Sequence, residues 1–225
     1  MTPSDLDVLW LSAKVGVGCV LVSLPFGLVL GWLLARFEFR GKSLLDGICH
    51  LPLVLPPVVT GYLLLMTFGR RGPIGSFLEG TLGVHLAFDW KGAVLASAIV
   101  GFPLMLRAIR QGFESIDPRL EGAARTLGAR PFYAFVSVTL RLALPAIGIG
   151  CLLSFARSLG EFGATVTFVS NIPGETQTLP LAIFSYLNQP DGDAAAWRLV
   201  MVSVALSFLA IIASNRLGAF LRKAR

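Results

Sequence analysis

The sequence predicts an all-α integral membrane protein with about five transmembrane helices in a single domain, residues 1–225. Hydrophobic residues make up 55% of the chain and charged residues only 14%, and the mean hydropathy is +0.75. Soluble domains contain about 25% charged residues, so this composition lies outside their range. The apolar runs also approach or exceed the length of about 20 residues that a helix needs to cross a bilayer.

Five segments are predicted as membrane spans. They are residues 8–35, 44–68, 92–109, 142–169 and 197–220. The first follows acidic residues, Asp5 and Asp7, and is longer than the apolar core of a signal peptide. We therefore expect it to be retained as a helix, with no part of the chain left for a second domain.

The second span contains several residues that disfavour a straight helix. Pro52, Pro56 and Pro57 each lack a backbone donor, and Gly61 follows closely. Irregular backbone at membrane depth is tolerated only where protein buries it or water reaches it. The sequence therefore favours a span that lines a pathway through Pro56, Pro57 and Thr60, and the alternative is a kink that only shapes packing.

The segment between the third and fourth spans, residues 111–141, is polar and basic. Asp117 is a suitable cap, Pro118 suits the first helical position, and Gly128 suits a left-handed helix end. A second short helix is expected to start at Pro131 and to run to about residue 140. Such a segment between apolar runs is predicted to contact something outside the membrane.

The fourth span carries polar residues at intervals of four, three and four. On one continuous helix these residues would share a single face. They are Ser154, Ser158, Glu161 and Thr165. Arg157 precedes Glu161 by four residues, which suits an ion pair, and charges within a span usually pair or face a cavity. Two interpretations stay open: a structural ion pair, or a gate in the pathway.

Lysine and arginine are distributed unequally between the two sides of the predicted bundle. The richer side has Arg36, Arg40, Lys42, Arg107, Arg110, Arg119, Arg125, Arg130, Arg141, Arg216, Arg222, Lys223 and Arg225, and the poorer side has Arg70, Arg71, Lys91 and Arg198. The richer side is expected to be cytoplasmic, which places the N-terminus outside and the C-terminus inside. This topology and contact with anionic membrane lipid account for the net charge of +6, so we expect no nucleic-acid partner.

The sequence contains no pattern typical of an enzyme or a metal site. Cys19, Cys49 and Cys151 have no metal-ligand spacing and are expected to be free thiols. His50 and His85 are isolated, and no catalytic triad or phosphate-binding loop is present. We expect no catalytic residue, no metal and no cofactor bound by this chain.

Residues 121–140 resemble the cytoplasmic EAA loop of ABC-importer permeases. That pattern is Glu-Ala-Ala, three residues, Gly, nine residues, Ile, one residue, Leu-Pro. The positions that fit are Ala123, Ala124, Gly128, Val138 and Leu140, whereas Gly122 and Arg141 stand where Glu and Pro are usual. Residues 157–163, residues 50–61 and the Gly-Arg-Arg-Gly of residues 69–72 are similar to segments of molybdate permeases, so the resemblance covers nearly the whole chain.

The resemblance implies the architecture of a type I ABC-importer permease in the bacterial cytoplasmic (inner) membrane. It implies a homodimer with a central pathway, two cytoplasmic ABC ATPase subunits that bind ATP and Mg, and a periplasmic oxyanion-binding protein. Molybdate or tungstate would cross by alternating access. The residues implied in ATPase coupling are Glu121, Ala123, Ala124, Arg125, Leu127 and Gly128. Glu121 is expected to replace the missing carboxylate of position 122.

Three alternatives remain. A sulfate or thiosulfate permease would have the same pattern, because these anions are also tetrahedral dianions. A secondary transporter or channel would usually show internal repeats and more intramembrane charges than Arg157 and Glu161. A membrane-embedded enzyme would need a constellation of His, Cys or Asp residues. The sequence does not separate molybdate from tungstate, and it leaves open whether residues 171–196 form a re-entrant segment.

Overall fold

The computed structural model describes the backbone of residues 3–223, and side chains except those of residues 1–4, 211, 214, 215 and 217–225. All regular elements in this part of the chain are helical, which confirms the all-α prediction. They are α1 (Pro3–Arg36), α2 (Lys42–Val54), α3 (Pro57–Phe68), α4 (Pro73–Leu82), α5 (Trp90–Glu114), α6 (Pro118–Thr126), α7 (Pro131–Ala134), a π-helical segment (Phe135–Leu140), α8 (Arg141–Leu159), α9 (Gly163–Val169), α10 (Leu179–Leu187) and α11 (Asp193–Lys223).

Four continuous helices among the described residues are long and apolar enough to cross a membrane. They are Asp5–Arg36, Trp90–Glu114, Pro131–Leu159 and Asp193–Ala210. A fifth crossing comes from α2 and α3 together, which are bent by 112° at a short break. The prediction of about five spans is confirmed.

Contacts between helices establish the direction of each crossing. Gly18 packs against Val94 and Gly31 against Ile109, so α1 and α5 run parallel. The chain between them must therefore return across the bundle through α2, α3 and α4. Helix α8 runs antiparallel to α5. We call the end of the bundle at which α5 ends and α6 begins the α6 end, and the opposite end the α10 end.

Helix α5 forms the centre of the bundle. Buried side chains occur along its whole length, and Met105, Ile109 and Phe113 pack with residues of α1 and α8. Small residues bring the helices close together, since Gly112 lies against Ala146. Small-residue contacts of this kind stabilise helix association in a bilayer.

Two of the predicted spans differ from the structure. Residues 44–68 do not form one helix, because Pro56 and Pro57 interrupt the chain between α2 and α3. Residues 142–169 are likewise interrupted, at residues 160–162, between α8 and α9. The short helix expected over residues 131–140 does not end there, because α7, the π-helical segment and α8 form one helix, Pro131–Leu159.

The segment between the last two spans contains helix α10. Leu179, Leu181 and Ala182 are buried. Ser12 Oγ accepts a hydrogen bond of 2.7 Å from the Leu179 N–H, which fixes the start of α10 to α1. Asp5 and Arg198 form an ion pair of 3.8 Å at the same end, between α1 and α11.

Candidate transport pathway and docking segment

The two helix breaks meet in space. A Cβ atom on Gly61 of α3 would lie 2.6 Å from the carbonyl oxygen of Ala164 in α9, so only glycine permits this approach. Gly163, at the start of α9, lies against Pro57, the first residue of α3. The N-terminal turns of the two helices are therefore in direct contact, and they join the predicted pathway residues of the second and fourth spans.

Glu161 lies at this junction and is only 2% exposed. Its Oε1 accepts a hydrogen bond of 2.9 Å from the Ala164 N–H, in the first turn of α9. Its Oε2 lies 2.8 Å from Arg157 Nη1. A carboxylate at a helix N-terminus also interacts favourably with the helix dipole. The predicted ion pair therefore exists, and it connects the end of α8 to the beginning of α9.

The Arg157 side chain is 28% exposed, in contrast to its partner. Its contact with Glu161 is through one terminal nitrogen, Nη1. A guanidinium group has five N–H donors, so most of them remain for other acceptors. Arg157 is thus accessible, whereas its negatively charged partner Glu161 is buried.

The expectation of a single polar face on one continuous helix is wrong. Helix α8 ends at Leu159, so Ser154 and Ser158 belong to α8 and Thr165 belongs to α9. Ser154 is fully buried, and its Oγ lies 3.4 Å from Cys19 Sγ of α1. It therefore faces α1 of its own subunit and does not lie at the junction of the helix breaks.

Two hydroxyl groups near the helix breaks are buried. Among the described residues, neither Thr60 Oγ1 nor Ser158 Oγ makes a hydrogen bond of good geometry, although Ser158 lies close to the Cys19 thiol of α1. Buried polar groups are nearly always hydrogen-bonded in folded proteins, so Thr60 is the exception at the junction.

The docking segment consists of α6 and the turn that follows it. Asp117 accepts a hydrogen bond of 2.9 Å from the Arg119 N–H, and Pro118 is the first residue of the helix. Gly128 has φ of 92°, in the left-handed region. All three local predictions for this helix match the structure, because caps and left-handed glycines act through neighbouring residues only.

Glu121 contacts its own chain. Its Oε2 accepts a hydrogen bond of 2.7 Å from Thr139 Oγ1, and Thr139 is fully buried in the π-helical segment. The carboxylate therefore attaches α6 to the base of the fourth span. The expected role of Glu121 as the replacement for the carboxylate of position 122 stays a prediction.

The surface around α6 is apolar and cationic. Leu127 is 90% exposed and Phe132 79% exposed. Ala123 and three arginine residues are also exposed, whereas Ala124 is partly buried; the arginines are Arg119, Arg125 and Arg130. Large exposed apolar side chains with a polar rim are typical of protein interaction sites.

Comparison with known proteins identifies the family. Residues 27–223 match the family model described as binding-protein-dependent transport system inner membrane component. The chain belongs to this family. It is therefore a multi-pass inner-membrane component of a transport system.

Relatives in the family extend over nearly the full chain. The molybdenum transport system permease protein ModB of Escherichia coli K12 is 52% identical, covering 99% of this chain and 97% of its own. ModB of Haemophilus influenzae is 51% identical, covering 97% of this chain and 96% of its own. The sulfate transport system permease protein CysT of Salmonella typhimurium is 37% identical, covering 85% of this chain and 69% of its own.

Solved structures show the same fold at low sequence identity. The MetNI methionine ABC transporter in an inward-facing conformation matches with a TM-score of 0.72 and 16% identity, covering 98% of this chain and 99% of that chain. A bacterial ABC transporter that imports alginate matches with a TM-score of 0.70 and 13% identity, covering 99% of this chain and 80% of that chain. These likenesses establish the permease fold of ABC importers.

Proposed function

We propose that this chain is the permease subunit of an ATP-driven importer of molybdate. The observation that carries the proposal is the 52% identity, over almost the whole chain, to a molybdenum transport permease. The sulfate permease is more distant at 37% identity, so sulfate or thiosulfate is the second candidate. Tungstate has the same charge and shape as molybdate and is expected to share the route.

The junction of the two helix breaks is the proposed pathway wall. It contains the accessible Arg157, the buried hydroxyls of Thr60 and Ser158, and Thr165, with Pro56 and Pro57 exposed beside them. Pairing of Glu161 with Arg157 reduces repulsion between the carboxylate and a passing dianion. Glu161 then positions Arg157, and the oxyanion contacts Arg157.

The proposed assembly is a homodimer with two cytoplasmic ABC ATPases and a periplasmic oxyanion-binding protein. The proposed contact face between the two copies is the exposed surface around the first break, where Val54 is 81% exposed and Val58 56%. Two-fold symmetry would bring two such faces together. ATP and Mg would bind to the ATPase, and this chain would perform no hydrolysis.

Transport by the reconstituted assembly tests the function. The chain would be purified with its ATPase, reconstituted into liposomes with its binding protein, and supplied with ATP. Uptake of radiolabelled molybdate should exceed uptake of sulfate at equal concentration. Preferential sulfate uptake would favour the second candidate, and uptake without ATP would contradict an ATP-driven importer.

Replacement of Gly128 with valine should weaken ATPase association. A β-branched residue at φ of 92° is strained by about 1–2 kcal/mol, so the turn that positions α6 is distorted and less ATPase should be recovered with the chain. Gly83→Val is the matched control, because Gly83 also has a left-handed φ, 62°, has open space around it and ends α4 outside the docking segment. Equal ATPase recovery with the two variants, measured by co-purification, would contradict the docking assignment.

Cysteine labelling should show that α6 is cytoplasmic. An exposed cysteine in Glu175→Cys is expected to react with a membrane-impermeant maleimide added to spheroplasts, whereas Arg125→Cys should react only after lysis. The native cysteines are buried or partly buried and give the background signal. The reverse labelling pattern would invert the proposed topology.

A further inference from the structure

A polar pocket lies between α2 and α5 at the α6 end of the bundle. Its volume is about 350 Å³. The pocket is lined by Asp46, His50, Arg107, Arg110, Gln111 and Glu114. This pocket is separate from the junction of the helix breaks, and none of its residues belongs to the predicted pathway.

Both carboxylates in the pocket are already bound by one arginine. Arg110 Nη1 lies 3.1 Å from Asp46 Oδ1, and Arg110 Nε lies 2.7 Å from Glu114 Oε1. His50 Nδ1 is also close to Asp46, at 2.8 Å from its carbonyl oxygen. This network holds α2 against α5. It leaves few free carboxylate oxygens that could bind a further cation.

Arg107 is the remaining charged group. It is exposed to the pocket, and no described carboxylate lies within ion-pairing distance of it. Gln111 follows one turn later on the same face of α5 and supplies an amide donor. A planar guanidinium group binds two oxygens of a tetrahedral anion at once, which a single ammonium group does not match.

We infer that this pocket binds a tetrahedral oxyanion, with Arg107 as the principal contact and Gln111 as a second donor. The oxyanion is either the transported species after it leaves the pathway or the phosphate of a membrane lipid. The two arginines and two carboxylates of the lining cancel formally, so binding is weak and decreases with ionic strength. Weak binding suits a site from which the anion must depart.

The position of this pocket on the cytoplasmic side rests on the proposed function, because it follows from the position of α6. Its binding chemistry rests only on the residues of α2 and α5. Arg157→Gln separates the two proposals. In that variant, oxyanion binding that depends on Arg107 should persist even when transport is lost.

The test uses the full chain purified in a phosphate-free maltoside detergent, with equilibrium dialysis against radiolabelled molybdate. Arg107→Gln should reduce binding by about tenfold, as expected for loss of charge-assisted hydrogen bonds. Arg107→Lys keeps the charge but not the planar group that binds two oxygens at once, and it should give an intermediate affinity. Arg40→Gln, an equal charge change at an exposed position at the same end, should bind like the wild-type chain.

A second measurement distinguishes the transported anion from a lipid phosphate as the source of the oxyanion. Retention of added phosphatidylglycerol would be measured by native mass spectrometry for the same variants. Loss of molybdate binding in Arg107→Gln supports the transported anion, and loss of lipid retention alone supports a lipid phosphate. If Arg107→Gln matches Arg40→Gln in both measurements, the site does not exist. Gln111→Leu should weaken binding of the same ligand. It provides the test if Arg107→Gln does not fold.

Discussion

Replacement of Gly61 with alanine is expected to destabilise the protein and to abolish transport. The added Cβ would lie 2.6 Å from the Ala164 carbonyl oxygen and 2.9 Å from the Ala164 Cα atom. Both are backbone atoms, so α3 and α9 must separate. Overpacking of this kind costs about 1–3 kcal/mol. The measurements are the thermal unfolding midpoint of the purified chain and molybdate uptake by the reconstituted assembly.

Gly47→Ala provides the matched control. Gly47 also lies in a helix of the broken pair, but a Cβ there would meet nothing within 4 Å. Alanine should be neutral at this position or should stabilise helix α2 by up to about 1 kcal/mol. If the two alanine variants unfold at the same temperature and transport equally well, close contact between the breaks is not required.

Replacement of Glu161 with alanine is expected to have a comparably large effect. It removes the acceptor of the Ala164 N–H and the partner of Arg157 at a site that is 2% exposed. Removal of one member of a buried ion pair costs about 3–5 kcal/mol. Because Arg157 is partly exposed and can turn towards water, we expect the lower part of that range. The unfolding midpoint should fall and uptake should be lost.

Glu161→Gln separates stability from transport. The amide oxygen can still accept the hydrogen bond from Ala164, but the attraction to Arg157 is reduced. Retained stability with reduced uptake would support a role of the charge in positioning Arg157. Full stability and full uptake would show that the charge of Glu161 is required for neither, and would contradict the positioning role. Glu175→Ala, which removes an exposed carboxylate, should change neither quantity.

The sequence predicts those features that depend on local chemistry. Apolar runs identify the spans because the bilayer requires a minimum length. The helix of the docking segment is predicted from Asp117, Pro118 and Gly128, since each acts on adjacent backbone. The irregular backbone of the second span follows from Pro56 and Pro57 for the same reason.

The local signal for the end of α8 at Leu159 is weak: Gly160 is its C-cap, but glycine is also common at helix contacts within membrane spans. The spacing of Ser154, Ser158, Glu161 and Thr165 fits an unbroken helix equally well. The break is stabilised by tertiary contacts, because Glu161 caps α9 and Gly163 packs against Pro57 of another span. A pattern along one helix cannot reveal a contact with another.

The same limit applies to two parts of the candidate sites. Glu121 and Thr139 are 18 positions apart, and their hydrogen bond depends on how α6 folds back on the π-helical segment. The pocket at Arg107 requires α2 and α5 to lie side by side. The Arg157–Glu161 pair, by contrast, is predicted from the sequence, because its members are four residues apart.

The continuous helix Pro131–Leu159 has a mechanical consequence. At 1.5 Å per residue its 29 residues extend over roughly 40 Å, from the exposed Phe132 to the break that precedes Glu161. Its closest approach to α5 is between these ends, where Ala146 lies against Gly112 and Gly150 against Met105. Ser154 also lies against Gly101 of α5, so this contact continues towards the end of α8. A displacement at Phe132 is therefore passed to the break along one helix, through a segment that contains the π-helical turn and Pro145.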